Sequence, residues 1–187
     1  MNNKSNKQFM MMNLICTILS LSLMLLTCAC HSNKKPPATA AEVLSVMLNS
    51  VEAPQGRIRS FSSFNQGSLL SSDLLTALYG STAAKWYQTN EQAVIDDGAL
   101  YLSEILHPFE LAVFRCIDEG DTSGSIASVL GVCASRLELI RKAWQGTTYE
   151  NYINRAIVTC YDGYVLLVVA KDPDTAIKAA RNYIKNH

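Results

Sequence analysis

Apolar residues recur at alternating steps of four and three between Ile126 and Trp144, and polar residues fall between them. This spacing places the apolar side chains on one side of a helix, so it predicts an amphipathic helix that packs by one face. The turn-rich segment 118–125 precedes this helix and supplies residues that could cap it. The apolar positions are Ile126, Leu130, Cys133, Leu137, Ile140 and Trp144.

Two strand-like runs within 155–170 are joined by the dipeptide Asp162-Gly163. This dipeptide favours a two-residue type I′ turn, so the segment is predicted to form a tight β-hairpin. Because both faces of the hairpin are largely apolar, we expect it to be central in its sheet. The turn also predicts the register, which pairs Tyr161 with Tyr164, Cys160 with Val165, Val158 with Leu167 and Ile157 with Val168.

Weaker patterns predict the remaining elements. Strands are expected at 94–102, with a turn signal at Asp96-Asp97-Gly98, and at Glu110–Cys116, while the Ser-, Gly- and Asn-rich passage 55–66 predicts a loop. Helices are expected at 40–51, at Ser72–Tyr79 before Gly80, and after the cap Asp172-Pro173-Asp174. These elements predict an α+β fold: a mostly antiparallel sheet of about four strands with helices packed on it, preceded by an export signal.

The export signal is predicted from the first 29 residues. A polar start that contains Lys4 and Lys7 is followed at 9–26 by an uncharged apolar stretch. This order of charged and apolar regions is typical of a secretory signal peptide. An uncleaved membrane helix over 9–29 is the alternative, because that stretch is just long enough to cross a bilayer. The two lysines keep the N-terminus in the cytoplasm in both cases, so the body of the protein is expected outside.

Cys30 is the predicted lipid attachment site. Ala29 stands directly before it and is the small residue that lipoprotein processing requires. Thr27 occupies the place where such motifs usually have leucine, so Cys28 is kept as the second candidate. Two acyl chains such as palmitate on this cysteine would hold the protein firmly on the outer face of the bacterial cytoplasmic membrane.

The chain therefore divides into a signal peptide at 1–29, an anchor and spacer at 30–39, and a single α+β domain at 40–187. The whole chain has 16 basic and 16 acidic side chains, and removal of Lys4 and Lys7 with the signal leaves 14 basic side chains against 16 acidic ones. A slightly acidic body is not expected to bind nucleic acid.

The body contains three cysteines, Cys116, Cys133 and Cys160, and this odd number does not indicate a disulfide framework. Cys133 and Cys160 lie on apolar faces of their elements, where free cysteine packs as a small hydrophobic residue. The sequence leaves open a bridge between Cys116 and Cys160, because it does not fix the distance between them.

His107 is the histidine that catalysis would have to use, since His31 lies in the spacer and His187 ends the chain. Its His-Pro-Phe setting favours a turn residue instead. With His31 and His187 set aside, the body has no pair of histidines, and it has no Cys-x-x-Cys motif. No metal site is therefore predicted. No cofactor is predicted either.

Glu110 and Arg136 each place a charge in an otherwise well-packed element. The pattern is typical of an ion pair or of two exposed element ends, and the alternative is a pair that faces a ligand. With His107, these residues are the candidates for ligand contact.

Three segments carry a resemblance to a known family. They are Glu110–Phe114, the helix that contains Arg136 and Leu137, and Gly163–Val169 followed by 172–176. Together they resemble a bacterial extracytoplasmic family catalogued as domain of unknown function 4358, many of whose members are lipoproteins. The resemblance covers less than half of the chain. It supports an exported lipoprotein and implies no activity.

These observations predict a lipid-anchored extracytoplasmic protein that is a non-enzymatic binding or interaction module. Its partner would be another envelope protein, a cell-wall component or a small molecule, in addition to the membrane that holds its anchor. The alternative is an enzyme of the cell envelope, with a thiol-dependent mechanism as one option.

Overall fold

A computed structural model describes residues 36–62, 72–83, 94–117 and 122–187. Outside these residues lie the predicted signal peptide, most of the predicted spacer and the two candidate anchors, Cys28 and Cys30. Within the described ranges, none of the helices combines the length and the apolar character needed to cross a membrane.

The described residues form a five-stranded antiparallel sheet with helices packed on it, which confirms the predicted α+β fold. The strands follow the order β1-β2-β3-β5-β4 across the sheet. The elements are α1 (Ala40–Asn49), β1 (Gly56–Ser62), α2 (Ser72–Tyr79), β2 (Ile95–Ser103), β3 (Glu110–Cys116), α3 (Thr122–Trp144), α4 (Glu150–Asn154), β4 (Ile157–Tyr161), β5 (Tyr164–Val169) and α5 (Pro173–Lys185).

Strand β1 lies in the passage that the sequence predicted as a loop, so that prediction was wrong. β1 pairs with β2 along its whole length, from Gly56 opposite Ser103 to Ser62 opposite Asp97. The strand is at the edge of the sheet, where backbone hydrogen bonds to one neighbour are enough and strong strand-forming side chains are not required. The predicted turn at Asp96-Asp97-Gly98 is also part of a strand, because β2 passes through it with a register irregularity between Ile95 and Asp97.

The hairpin of β4 and β5 has the predicted register at all four predicted pairs. Asp162 and Gly163 both have positive φ, at 48° and 80°, as a type I′ turn requires. The hairpin is not central as a whole, however, because β4 is an edge strand and only β5 is buried throughout. Cys160 lies on this edge strand near the turn and is exposed, so the prediction that it packs in the core was wrong.

Helices cover both faces of the sheet. On one face, α2, α3 and α4 pack against alternate residues of β3 and β5 such as Ala112 and Leu167. On the other face, α1 and α5 pack against the residues between them, such as Leu111 and Val168. Successive side chains of a strand point to opposite faces, so two covered faces account for the unbroken apolar runs in these strands.

The helices differ from prediction mainly at their ends. α1 ends at Asn49 rather than at residue 51, and α3 begins at Thr122 rather than at Ile126. The short helix α4 was not predicted. The cap of α5 is as predicted, because the side chain of Asp172 accepts a hydrogen bond from the backbone N–H of Thr175 and Pro173 occupies the first turn.

Candidate functional site

Glu110 is the first residue of β3, and its side chain points to the face that α3 covers. Only 3% of Glu110 is exposed. Arg136, from the middle of α3, donates from Nε to Oε1 at 3.3 Å and to Oε2 at 3.2 Å, and from Nη2 to Oε2 at 2.7 Å. The two residues thus form an ion pair in which one edge of the guanidinium faces the carboxylate, and the bond from Nη2 to Oε2 is its short, charge-assisted hydrogen bond.

Tyr79 completes this group from the last turn of α2. Its phenolic O–H donates to Oε1 of Glu110 at 2.7 Å, and its ring packs edge-on against Phe114. Burial, followed by the negative charge of Glu110, raises the pKa of Tyr79 well above its ordinary value, so the phenol remains a donor. The carboxylate of Glu110 therefore accepts four hydrogen bonds, which join α2, α3 and β3.

The charge of Arg136 is held by the same contacts. Burial alone would lower the pKa of this guanidinium, but its hydrogen bonds to Glu110 and the charge of that carboxylate raise the pKa overall. The side chain is 20% exposed. Arg136 is thus a charged group between the protein interior and the surface.

His107 lies in the loop that connects β2 to β3. Its Nδ1 accepts a hydrogen bond from the backbone N–H of Phe109 at 3.0 Å, so the neutral ring carries its proton on Nε2. Partial burial lowers the pKa of His107 from its ordinary value. The ring is therefore neutral at pH 7 and has one N–H donor.

Aromatic rings surround His107. Its ring contacts Tyr149 at a centroid distance of 4.7 Å and Tyr152 at 5.4 Å, both edge to face. Tyr149 in turn contacts Trp144, at the end of α3, at 5.3 Å. We call these four residues the aromatic cluster. Each of these contacts is of the edge-to-face kind that stabilises aromatic pairs, so the cluster holds the β2–β3 loop against the end of α3.

A cavity of about 230 Å³ lies between this loop and α3. His107, Glu110 and Arg136, the three residues predicted to contact a ligand, all line it. Its other walls are mostly apolar and include Leu78, Leu102, Ile140 and Trp144. The structure therefore brings the three candidates together at one place.

A second cavity of similar size lies between the last turns of α3 and α4. Its lining residues Glu138 and Arg141 form an exposed ion pair with each other at 2.5 Å. Exposed pairs of this kind are screened by solvent and contribute little. We therefore take the cavity beside Glu110 as the candidate site.

The cysteines contribute little to this site. Cys116 and Cys133 are buried and free, and Cys160 is exposed and free. Burial, with smaller contributions from Asp96 and Cys160, raises the pKa of the Cys116 thiol to about 12; burial also raises the pKa of Cys133. Both are therefore protonated and poor nucleophiles at pH 7.

The bridge between Cys116 and Cys160 that the sequence left open is not formed. β3 and β4 lie on opposite sides of β5. Two strand spacings separate their backbones by ~9.6 Å, whereas bridged cysteines have Cα atoms within ~7 Å of each other. Among the described residues, no three histidine, cysteine or acidic side chains are grouped closely enough to hold a metal ion.

A second polar group was missed at the sequence level. The carbonyl oxygen of Ala38 accepts hydrogen bonds from Nη1 of Arg115 at 3.3 Å and from the phenol of Tyr164 at 2.5 Å. Arg115 also forms an ion pair with Asp96 at 2.7 Å. These contacts fix the chain where the predicted spacer enters the domain. The adjacent acidic residues Asp96 and Asp97 could have indicated a partner for Arg115, but together with Gly98 they predicted a turn.

Comparison with known proteins found no relative of this chain. No family model matches the chain, and neither the curated proteins nor the solved structures contain a similar one. The resemblance to domain of unknown function 4358 therefore stays a prediction. Fold and site define an α+β domain with helices on both faces of its sheet and a small cavity of mixed polarity at one end.

Proposed function

We propose that this protein is a lipid-anchored binding module on the outer face of the bacterial cytoplasmic membrane, and that its ligand binds in the cavity beside Glu110. The observation that carries the proposal is the cavity itself, in which His107, Glu110 and Arg136 meet walls of mainly apolar side chains. Binding sites commonly combine apolar walls with a few fixed polar groups. The partner is an envelope protein, a cell-wall component or a small molecule.

The state of Glu110 favours binding over catalysis. A general base needs a carboxylate oxygen that is free to take a proton from a substrate. Both oxygens of Glu110 already accept hydrogen bonds from Tyr79 and Arg136. The cavity therefore presents a fixed polar surface rather than a reactive group.

The position of the cavity suits a tethered protein. Ala38, at the end of the predicted spacer, is held near the end of β3, because its carbonyl oxygen accepts a hydrogen bond from Arg115, whereas Glu110 is at the start of the same strand. Five residue steps along a strand span ~17 Å. If the anchor lies before Ala38, the chain reaches the domain at one end of β3, and the cavity lies at the other end.

The loop beside the cavity supports contact with a partner. Ile105 and Leu106 are exposed there and directly precede His107 in the chain. Exposed apolar side chains at the rim of a cavity would add contact area to a bound molecule.

Intact mass spectrometry of the membrane-extracted protein tests the anchor. We expect residues 1–29 to be absent and a diacylglycerol group to be attached to Cys30. A mass that starts at Cys28 would identify the second candidate as the anchor. A full-length mass without lipid would contradict the anchor and support the single N-terminal helix.

A capture experiment tests the cavity. Leu102→Trp would fill the space without changing any of its polar groups, and Leu139→Trp would place the same side chain on the exposed side of α3 as a control. We expect wild type and Leu139→Trp to retain the same component from an envelope extract, and Leu102→Trp to lose it. Equal capture by all three proteins would reject the cavity as the binding site.

A thiol-dependent envelope enzyme is the second candidate, and the exposure of Cys160 is the observation that favours it. Such an enzyme would need Cys160 as its nucleophile, because the buried thiols of Cys116 and Cys133 remain protonated. Assays of hydrolase and thiol-exchange activity with wild type and Cys160→Ser separate the two functions. An activity that disappears in the variant would replace the binding proposal.

A further inference from the structure

The guanidinium of Arg136 has a second edge to which none of the described residues forms a hydrogen bond. Its Nε and Nη2 donate to Glu110. For Nη1, the part of the chain that the structure describes offers no hydrogen-bond partner. A guanidinium can bind planar oxygen pairs at two edges. The edge formed by Nη1 and Nη2 is therefore available on a charged group that lines the cavity.

The other polar groups of the cavity are also donors or are already bonded. His107 has an Nε2–H, since its Nδ1 is bonded to Phe109. The hydroxyl of Ser103 donates to the carbonyl oxygen of Ile105 at 3.0 Å. Among the described residues of the lining, Glu110 is the one carboxylate, and its oxygens accept from Tyr79 and Arg136. A ligand that satisfies this cavity must bring hydrogen-bond acceptors.

The size of the cavity limits what enters it. Its volume of about 230 Å³ is below the ~300 Å³ at which pockets for whole drug-sized ligands begin. Apolar side chains such as Leu78 and Ile140 form much of its wall. A small apolar group with acceptor oxygens at its end fits both the volume and the lining.

We propose that the cavity binds a terminal carboxylate carried on an apolar group, with the carboxylate on the free edge of Arg136; this rests on the proposed binding function of the cavity. The two coplanar oxygens of a carboxylate match the two parallel N–H groups of that edge. A primary amide offers one oxygen and turns its own N–H groups towards the guanidinium. Glu110 holds the guanidinium in place before the ligand arrives, so little side-chain freedom is lost on binding.

Two sources could supply this chemistry: a small free carboxylic acid or the C-terminal residue of a peptide. Both present the same end to Arg136. They differ in what continues outside the cavity, where a peptide would extend past the exposed side chains of Ile105 and Leu106.

Fluorescence of Trp144 provides a direct measurement, because this residue lines the cavity. Trp86→Phe removes the other tryptophan of the chain. The full, membrane-extracted protein with this change is titrated with N-acetylphenylalanine, with its primary amide, and with a tripeptide that ends in phenylalanine. We expect the acid to bind about tenfold more tightly than the amide. If the tripeptide binds more tightly than N-acetylphenylalanine, the natural ligand is the C-terminal end of a peptide. If the two bind equally, the natural ligand is a small free acid.

Arg136→Lys tests the role of the free edge. The lysine keeps a positive charge beside Glu110 but has no planar pair of N–H groups. We expect about a tenfold loss of acid binding and no change for the amide. Arg141→Lys, on the same helix but outside this cavity, is the matched control and should bind as the parent does.

Equal binding of acid and amide to the parent protein would overturn the proposal, and so would a failure of both the acid and the tripeptide to change the fluorescence. The acid-to-amide ratio of the parent decides the matter even if Arg136→Lys does not fold. Loss of envelope capture in Leu102→Trp, combined with no preference for the acid, would leave the cavity as a binding site and reject only the carboxylate.

Discussion

The buried carboxylate of Asp97 accepts a hydrogen bond of 2.7 Å from the backbone N–H of Ala40, at the start of helix α1. The first N–H groups of a helix have no partner within the helix, and a negative charge there is favoured by the helix dipole. This contact joins α1 to β2 across 57 positions of the sequence. It fixes the start of the first helix on β2.

Asp97→Ala should destabilise the protein, because the N–H of Ala40 would remain buried without an acceptor. Such a loss costs ~1–3 kcal/mol. Asp97→Asn keeps an acceptor oxygen and should cost less. Urea unfolding at pH 7 measures both, and equal losses for the two variants would show that the charge, rather than the hydrogen bond, is the important feature.

Asp97 should also make stability depend on pH. Burial raises the pKa of this carboxyl group from its ordinary value of 3.8, although the hydrogen bond from Ala40 and the charge of Arg115 oppose the rise. Between the unfolded and the folded pKa, the folded state binds more protons, so the contribution of Asp97 to stability falls as pH rises through this interval. Urea unfolding from pH 3.5 upwards should therefore show the stability of wild type falling relative to that of Asp97→Asn.

Glu110 and Arg136 should show strong coupling. Removing one partner leaves the other charge poorly compensated, so Glu110→Leu and Arg136→Met alone should each cost about 3 kcal/mol. The double variant replaces the pair with apolar side chains and should cost much less than the sum. Urea unfolding of the four proteins gives the coupling energy. Losses that simply add would show that the ion pair does not hold α3 on β3.

The sequence predicts the parts of this fold that local signals determine. Asp162-Gly163 specifies a turn, and the turn determines the register of the hairpin without reference to the rest of the chain. β1 has no such signal, because it is stabilised by backbone pairing to β2, and the side chains of Arg57 and Ser60 do not indicate a strand. The edge position of β4 likewise depends on the order of strands in the sheet, which the hairpin itself does not specify.

The same distinction applies to the site. Glu110 and Arg136 stand out because each is a charge in an apolar element, and His107 because the body has no other internal histidine. Tyr79 does not stand out, since an aromatic residue at a helix end is usual in a core. Its contact with Glu110, 31 positions away, depends on how α2 packs on the sheet, which the sequence pattern does not reveal.

The three cysteines of the body should react at different rates with an alkylating reagent. Cys160 is exposed and should be modified in the folded protein, whereas Cys116 and Cys133 are buried and should react only on unfolding. Mass spectrometry of peptides after brief labelling, with and without urea, measures this. Rapid modification of Cys116 without urea would contradict the burial of that strand end.

Two glycines should respond in opposite directions to alanine. Gly56 begins β1, and a Cβ there would collide with the carbonyl oxygen of Leu102 and with the ring of Tyr101. Since backbone cannot move aside as a flexible side chain does, Gly56→Ala should weaken the pairing of β1 with β2 and cost ~1–3 kcal/mol.

Gly131→Ala is the same substitution at an exposed position where the new Cβ would collide with nothing. Gly131 lies inside α3 and is exposed, and a Cβ there would meet no atom within 4 Å. Alanine loses less backbone freedom than glycine when it enters a helix, so this variant should be more stable by ~0.5–1 kcal/mol. Thermal unfolding followed by circular dichroism compares both variants with wild type. A Gly56→Ala protein as stable as wild type would show that β1 contributes little to the folded sheet.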